Sequence, residues 1–162
     1  MNDTEATAIA AALGLEPLPG EGGFYRRTWT SAATLADGRP AGSAIVFMET
    51  DAPDGFSALH RLSGDEVYHF YAGDPVELSI IAPGGRVSTV ILGPDPLAGQ
   101  SPQAVAPADS FQGSRLVPGG RWALLGTTMA PAYDDGCFYL PSRAELTGLY
   151  PASAELIERL TR

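Results

Sequence analysis

The stretch that decides the fold is GFSALHRLSGDEVYHFYAG, residues 55–73. Two runs of apolar and polar residues flank residues 63–65, Ser-Gly-Asp, which have the composition of a tight turn. This pattern predicts two β-strands joined as a hairpin. A hairpin would bring His60 of the first strand and Glu66 of the second onto one face.

Side-chain alternation separates the two histidines of this stretch. Successive residues of a strand point to opposite faces of the sheet, so Glu66, Tyr68 and Phe70 share one face and His69 lies on the other. If Glu66 points into the protein, His69 points out. We therefore expect His60 to be the functional histidine and His69 to lie in an outer-face or subunit contact.

Similar short runs recur from Phe24 to about Phe138, with apolar or alternating composition. Clusters rich in glycine and proline separate them, among them residues 83–85 and 118–120. No segment between these runs has a helical pattern. Many short strands without intervening helices indicate a mostly β fold, an antiparallel sandwich or barrel.

Both ends of the chain are predicted to be helical. Residues 4–13 have helix-favouring composition, and Gly14 follows as a plausible C-cap. Near the other end, Ser142 and Glu145 have the spacing of a capping box, and Pro151 suits the first turn of a last helix. We expect short N-terminal and C-terminal helices beside the strands.

Composition limits the classes of partner and the number of domains. The 162 residues suit a single domain, residues 1–162, with 44% apolar and 18% charged residues. A formal charge of −9 disfavours nucleic acid and anionic membrane surfaces as partners. An acidic N-terminal segment, the lack of a long apolar run and the single cysteine, Cys137, predict a cytoplasmic protein without disulfides.

Several motifs of the chain resemble those of one superfamily. Glu66 and, seven positions later, Gly73 keep the spacing that ends the first motif of the cupins, which reads glycine, His-x-His, glutamate, glycine. The chain is more similar still to the uncharacterised cupin subgroup DUF985, or Cupin_5. Segments that carry this resemblance are EGGFYR (21–26), ALHRLSGDEVYHFYAGDPVEL (58–78), GQSPQ (99–103), SRAEL (142–146) and Tyr150-Pro151. The resemblance implies a double-stranded β-helix, or jelly-roll barrel, that holds a small molecule in its mouth.

Departures from the superfamily pattern concern the metal ligands. Metal-binding cupins resemble this chain but carry a second histidine in the first motif, where Leu62 stands here, and a histidine in a second motif, Pro-x-Gly-x-x-His. The matching segment, PADSFQ (107–112), ends in Gln112. Because two strong ligands are missing, we predict no metal cofactor. A weakly bound divalent metal on His60, Glu66 and Gln112 is the alternative.

Without a metal, His60 beside Glu66 suits general acid–base chemistry near neutral pH. Metal-free cupins such as the deoxysugar epimerases resemble this arrangement, with a histidine, an acidic partner and a tyrosine. Our leading hypothesis is a small-molecule-binding cupin that acts as a metal-independent isomerase or epimerase, with His60 and Glu66 as catalytic residues. The alternatives are a metabolite-binding protein without catalysis and a weakly metal-dependent cupin enzyme.

Candidate ligand-binding residues are polar or aromatic and lie in or near the matched motifs. They are Tyr25, Arg26, Tyr68, Phe70, Gln103, Gln112 and Tyr139. An arginine in a barrel mouth can hold a carboxylate or phosphate with two hydrogen bonds, which favours Arg26 over Arg61, whose strand parity is opposite to that of His60. The expected partners are a small-molecule ligand and, by analogy with other cupins, a second copy in a homodimer that covers exposed strand edges.

Overall fold

A computed structural model describes residues 4–162 of the protein, and these form mainly β-strands. The strands are β1 (Glu16–Pro17), β2 (Phe24–Thr30), β3 (Ser43–Thr50), β4 (Ser57–Leu62), β5 (Glu66–Gly73), β6 (Val76–Ile81), β7 (Val87–Leu92), β8 (Gln103–Ala106), β9 (Phe111–Leu116), β10 (Trp122–Met129) and β11 (Phe138–Tyr139). The helices are α1 (Thr4–Leu13), α2 (Arg143–Leu149) and α3 (Ala154–Arg159), with 3-10 turns at Pro96–Ala98, Asp135–Cys137 and Pro151–Ser153. The predicted mostly β fold with short terminal helices is confirmed.

Two antiparallel sheets face each other. The first has the strand order β1-β2-β3-β10-β5-β8, and the second has the order β11-β4-β9-β6-β7. Strands that are consecutive in the chain often lie in different sheets, which is the arrangement of a jelly-roll barrel. The apolar core between the sheets includes Phe47, Leu78 and Leu125, all buried.

The predicted hairpin between β4 and β5 is wrong. β4 pairs with β9 and β11, whereas β5 pairs with β10 and β8, so residues 63–65 carry the chain from one sheet to the other. At this crossover the backbone N–H of Asp109 donates to the Leu62 carbonyl, and the Asp65 carboxylate accepts from the N–H of Ala108. His60 and Glu66 therefore face each other across the barrel instead of pairing along one sheet.

The C-terminal helices cover the outer face of the second sheet. Ser142 accepts a hydrogen bond from the Glu145 N–H, as the capping pattern predicts, and so begins α2. Ile157 and Leu160 then pack on Leu59 of β4. Full burial of an aliphatic side chain of this size contributes about 1.5–3 kcal/mol, so these contacts hold β4 in place under the helices. No helix within residues 4–162 is long and apolar enough to cross a membrane.

The segments that match the two superfamily motifs include left-handed backbone at Gly73 and Asp109. Gly73, which ends β5, has φ +94°, and a Cβ atom there would lie 2.4 Å from the Trp122 carbonyl oxygen. Asp109, which stands where the second cupin motif has glycine, keeps the left-handed conformation with φ 64°. Aspartate is one of the few non-glycine residues that tolerates this conformation. The substitution therefore preserves the turn that leads into β9.

Candidate functional site

A cavity of about 640 Å³ opens at one end of the barrel. Its buried part is formed by His60, Glu66 and Tyr68, and its more exposed part includes Tyr25 and Tyr133. These side chains come from both sheets, because inward-facing residues of β2, β4 and β5 all reach the same space. A concave site with apolar walls and a few converging polar groups is the usual form of a small-molecule site.

Gln112 joins His60 to Glu66 at the buried end of this cavity. His60 on β4 and Gln112 on β9 are direct cross-strand partners, so their side chains lie on the same inner face. The Gln112 Nε2 atom lies 3.1 Å from His60 Nε2 and also donates to Glu66 Oε2. The three side chains thus form one hydrogen-bonded network across the barrel.

The hydrogen bonds of His60 define the protonation state of the network. Nδ1 lies 2.8 Å from the carbonyl oxygen of Ala58, an acceptor, so Nδ1 carries the proton. Nε2 then has a lone pair and accepts one hydrogen of the Gln112 amide, while the other amide hydrogen goes to Glu66. A neutral imidazole and an ionised carboxylate satisfy every one of these contacts. Burial nevertheless raises the pKa of Glu66 above its ordinary value.

Tyr68 and Thr127 stand beside Glu66 in the cavity wall. They are cross-strand partners on β5 and β10, and both hydroxyl groups interact with the Glu66 carboxyl group. Burial, helped by the nearby carboxylates, raises the pKa of Tyr68 well above its ordinary value. The Tyr68 hydroxyl therefore keeps its proton at neutral pH and acts as a hydrogen-bond donor.

A second carboxylate, Glu21, approaches His60 from the turn before β2. Its Oε1 atom accepts a hydrogen bond of 2.7 Å from Ser57 and lies 3.8 Å from His60 Nδ1. The Arg162 guanidinium holds this turn, because Nη1 donates to the Glu21 carbonyl oxygen at 2.7 Å and to that of Gly20 at 3.0 Å. Gly22, next in the chain, has φ +100° and gives the turn its left-handed geometry.

The structure places the predicted arginine outside the cavity and its neighbour inside. Arg26 pairs with Val46 and Arg27 with Ile45 in the β2–β3 register, and Ile45 and Arg27 line the cavity whereas Val46 and Arg26 do not. The two arginines are neighbours in β2, so their side chains lie on opposite faces of the strand. The Arg27 guanidinium donates to the Tyr133 carbonyl oxygen at 2.8 Å.

The other candidate residues divide into two groups. Tyr25 and Tyr68 line the cavity with His60 and Glu66, and Gln112 contacts the latter two. Three others, Phe70, Gln103 and Tyr139, lie outside the lining. Phe70 packs against the core, Gln103 is exposed on β8 with its amide 3.3 Å from His69 Nδ1, and Tyr139 is exposed with its hydroxyl on Glu145.

Residues that the sequence did not single out complete the wall. They include Glu21, Arg27, Ser57, Thr127, Tyr133 and Phe138. The ring of Phe138 lies 5.4 Å from that of His60, centroid to centroid. Glu21 begins the EGGFYR motif and Arg27 directly follows it, so this motif was the one feature of the sequence that could have pointed to them. Cys137 is buried close by, and burial raises the pKa of its thiol, so it stays protonated at neutral pH.

The side chains at the usual cupin metal position do not fit a divalent metal. The His60 Nε2 lone pair and Glu66 Oε2 both accept hydrogens of the Gln112 amide, and Leu62 turns a hydrocarbon side chain to the cavity where a histidine would bind. Within residues 4–162, no group of three or more histidine, cysteine, aspartate or glutamate side chains is arranged to hold a metal ion. The donor set suits hydrogen bonding instead.

A two-sheet barrel with an inward-facing cavity of this kind is the architecture that cupins share with other jelly-roll proteins. The family model described as Cupin superfamily (DUF985) matches residues 7–140, and the chain belongs to this family. No curated protein matches the chain.

Solved structures agree with this assignment. A protein from Shewanella oneidensis is 31% identical, with 100% of this chain and 99% of that chain covered and a TM-score of 0.89. A hypothetical protein from Leishmania major is 28% identical, with coverage of 96% and 98% and a TM-score of 0.89. A cupin 2 conserved barrel domain protein from Rhodopseudomonas palustris shares the fold at 14% identity, with coverage of 91% and 88% and a TM-score of 0.61.

Proposed function

We propose that the protein binds a small polar molecule in the barrel cavity and transfers a proton on it without a metal, as an isomerase or epimerase does. The observation that carries the proposal is the amide of Gln112, which bridges His60 and Glu66 at the buried end of the cavity. A carboxylate, a protonated tyrosine and an oriented histidine then line one space. These are the groups that proton transfer beside a carbonyl requires.

Glu66 is the base in this proposal, and His60 is a positioning residue. Both ring nitrogens of His60 are occupied, by the Ala58 carbonyl oxygen and by Gln112. Glu66 interacts with Gln112, Tyr68 and Thr127, but an ionised carboxylate has about four acceptor positions, and Glu66 is 7% exposed, against 2% for His60. Burial also raises the pKa of Glu66 above its ordinary value, and a carboxylate with a raised pKa is a stronger base.

The reaction balances with the groups present. Glu66 takes a proton from a carbon next to a carbonyl group, and the Tyr68 hydroxyl, which contacts the ionised carboxylate beforehand, turns its hydrogen bond to the enolate oxygen that forms. If the enolate turns its opposite face to Glu66 before the proton returns, that carbon is inverted. If the carbon carries a hydroxyl group, transfer of the hydroxyl proton to the former carbonyl oxygen and return of the Glu66 proton to the neighbouring carbon move the carbonyl group. A buried hydrogen-bond donor aimed at developing negative charge is a major source of rate acceleration.

Hydrogen–deuterium exchange tests the proposal without knowledge of the substrate. We would incubate the protein in heavy water with a panel of small carbonyl compounds and follow loss of the C–H signals by proton NMR. Exchange should occur for some compounds and should be lost in Glu66→Gln, while Glu158→Gln, an exposed charge-matched control, should keep it. Exchange that persists in Glu66→Gln would refute Glu66 as the base.

The role of Gln112 has a separate readout. Its amide donates to the charged form of Glu66 and so lowers the pKa of that carboxyl group, against the larger effect of burial. In Gln112→Leu the pKa should rise further, and the pH at which exchange reaches half its maximum should move upward. A purely structural role would reduce the rate and leave this pH unchanged.

Binding without catalysis is the second candidate function. The observation that favours it is the low exposure of the inner side chains, 2% for each of His60, Tyr68 and Gln112. A ligand that stabilises the protein against heat, is recovered unchanged and shows no deuterium exchange would support this function and contradict the isomerase.

A further inference from the structure

The charged side chains on the cavity wall are mostly acidic. Among the described residues, Glu21, Glu66, Asp134 and Asp135 line the cavity with four carboxyl groups, and Arg27 contributes one guanidinium group. The chain as a whole has a formal charge of −9, so the remainder of the protein does not offset this excess. A concave site with low-dielectric walls concentrates ligands of opposite charge and excludes those of the same charge.

Arg27 brings one positive charge to the cavity wall against four carboxyl groups, and part of its guanidinium group is already engaged by Tyr133. Its Nη2 atom donates to the Tyr133 carbonyl oxygen at 2.8 Å, and its guanidinium carbon lies 5.7 Å from the centroid of the Tyr133 ring. Arg39 Nη1 lies 3.8 Å from Asp134 Oδ2, and Arg39 Nη2 lies 3.8 Å from Asp37 Oδ2. Because it is shared between two aspartates, Arg39 offsets the negative charge of the cavity-lining carboxylates only in part. Both ring nitrogens of His60 are already occupied, by the Ala58 carbonyl oxygen and by Gln112, so neither is free to hold an anionic ligand.

Glu21 presents a preorganised carboxylate to the cavity. Ser57 and His60 Nδ1 occupy its Oε1 side, which leaves Oε2 for a ligand, and the side chain is 16% exposed. Arg162 and the left-handed backbone of Gly22 hold the turn in place. A charged group that is partly desolvated and already fixed makes stronger hydrogen bonds than a mobile surface group does.

Aromatic rings complete a surface suited to a cation. Tyr25, Phe47, Tyr133 and Phe138 all line the cavity, and the face of an aromatic ring attracts a positive charge. A bound cation would also relieve the repulsion between Glu21 and Glu66, which adds to burial in raising the pKa of Glu66.

We infer that the cavity selects a small molecule that carries a protonated amine, and that Glu21 is the residue that determines this specificity. The inference rests on the proposed binding of a small molecule in this cavity, and it names the chemical class of that molecule. An amine that also bears a carbonyl group would place its acidic C–H bond near Glu66 while its ammonium group pairs with Glu21.

Three probes of matched skeleton test the inference: phenylbutylamine, phenylbutanol and phenylbutanoate. Their dissociation constants would be measured from shifts of amide signals in NMR spectra of isotope-labelled protein. The amine should bind at least about tenfold more tightly than the carboxylate, as expected for one hydrogen bond to a charged group. Glu21→Gln should abolish this preference, whereas Glu158→Gln, which removes the same charge from the exposed face of α3, should keep it.

Other outcomes separate this inference from the proposed function. If the carboxylate binds as tightly as the amine, or if Glu21→Gln retains the amine preference, the inference is refuted while small-molecule binding stands. If only the alcohol binds, the specificity is again refuted and the cavity remains a binding site. If none of the three probes shifts signals from cavity residues, both the inference and the proposed binding fail.

Discussion

Glu49 offers the sharpest test of the barrel interior, because it is a buried acid away from the cavity. It lies near the end of β3 with an exposure of 0%. Ser114 donates to its Oε1 atom, while Oε2 has no hydrogen-bond partner among the described residues. Burial, partly opposed by that hydrogen bond, raises the pKa of Glu49 from 4.5 to about 8.

The sign of the pH dependence follows from this raised pKa. Between pH 4.5 and about 8, folded Glu49 holds a proton that the unfolded chain has released. The free energy of unfolding therefore falls by about 1.4 kcal/mol for each pH unit in this range. Stability that is fully present below pH 4.5 is lost as the pH rises through about 8, to a total of about 5 kcal/mol.

Urea unfolding of the native protein and of Glu49→Gln would measure this effect. The amide has nearly the same shape and does not titrate, so the variant should gain stability over the native protein as the pH rises from about 5 to 8. Ser114→Ala, which removes a hydrogen bond that lowers the Glu49 pKa, should extend the dependence to higher pH, and exposed Glu158→Gln should leave it unchanged. Parallel stability curves for Glu49→Gln and the native protein would refute the reasoning.

Three further perturbations test the turns and the donor set. Gly22→Ala places a Cβ atom 2.4 Å from a backbone carbonyl oxygen and should lower the free energy of unfolding by more than about 2 kcal/mol. Gly38→Ala, at φ +85° with no atom within 4 Å of the added Cβ, should lower it less. Equal losses in urea unfolding would contradict this argument. Asp109→Ala should lose about 1 kcal/mol in the same assay and Asp109→Gly should not, because φ is 64°; equal effects would contradict the argument. The double variant Leu62→His and Gln112→His should bind Zn²⁺ in elemental mass spectrometry of untagged protein, with Leu62→His alone binding less; no gain over the native protein would contradict the ligand assignment.

Local sequence pattern predicted the strands and their faces but not their partners. Alternation in β5 set Glu66 and Tyr68 on one side and His69 on the other, and the structure places them so. The three-residue turn before β5 has the composition of a hairpin, yet β4 pairs with β9, about 50 residues away. Strand pairing is decided by which surfaces the whole barrel buries, and a short turn is compatible with either outcome.

The cavity wall was harder to predict than the fold for a related reason. Arg26 and Arg27 differ by one position, so the sequence of β2 does not define which of them points inward until the register with β3 is known. Glu21 lies on a turn, where no periodicity applies, and its backbone is held by Arg162 from the far end of the chain. Both residues depend on contacts between distant segments.

The amide of Gln112 explains how the barrel satisfies the converging lone pairs of its histidine and its glutamate. A metal ion satisfies converging lone pairs by accepting them, and an amide NH₂ group satisfies two of them by donating one hydrogen to each. Gln112 does this for His60 Nε2 and Glu66 Oε2. Because the amide is neutral, it does not offset the charge of Glu66 as a metal cation would, and Glu21 adds a second carboxylate nearby. The presence of Gln112 where the second cupin motif has a histidine therefore favours both proton transfer by Glu66 and the binding of a cationic ligand.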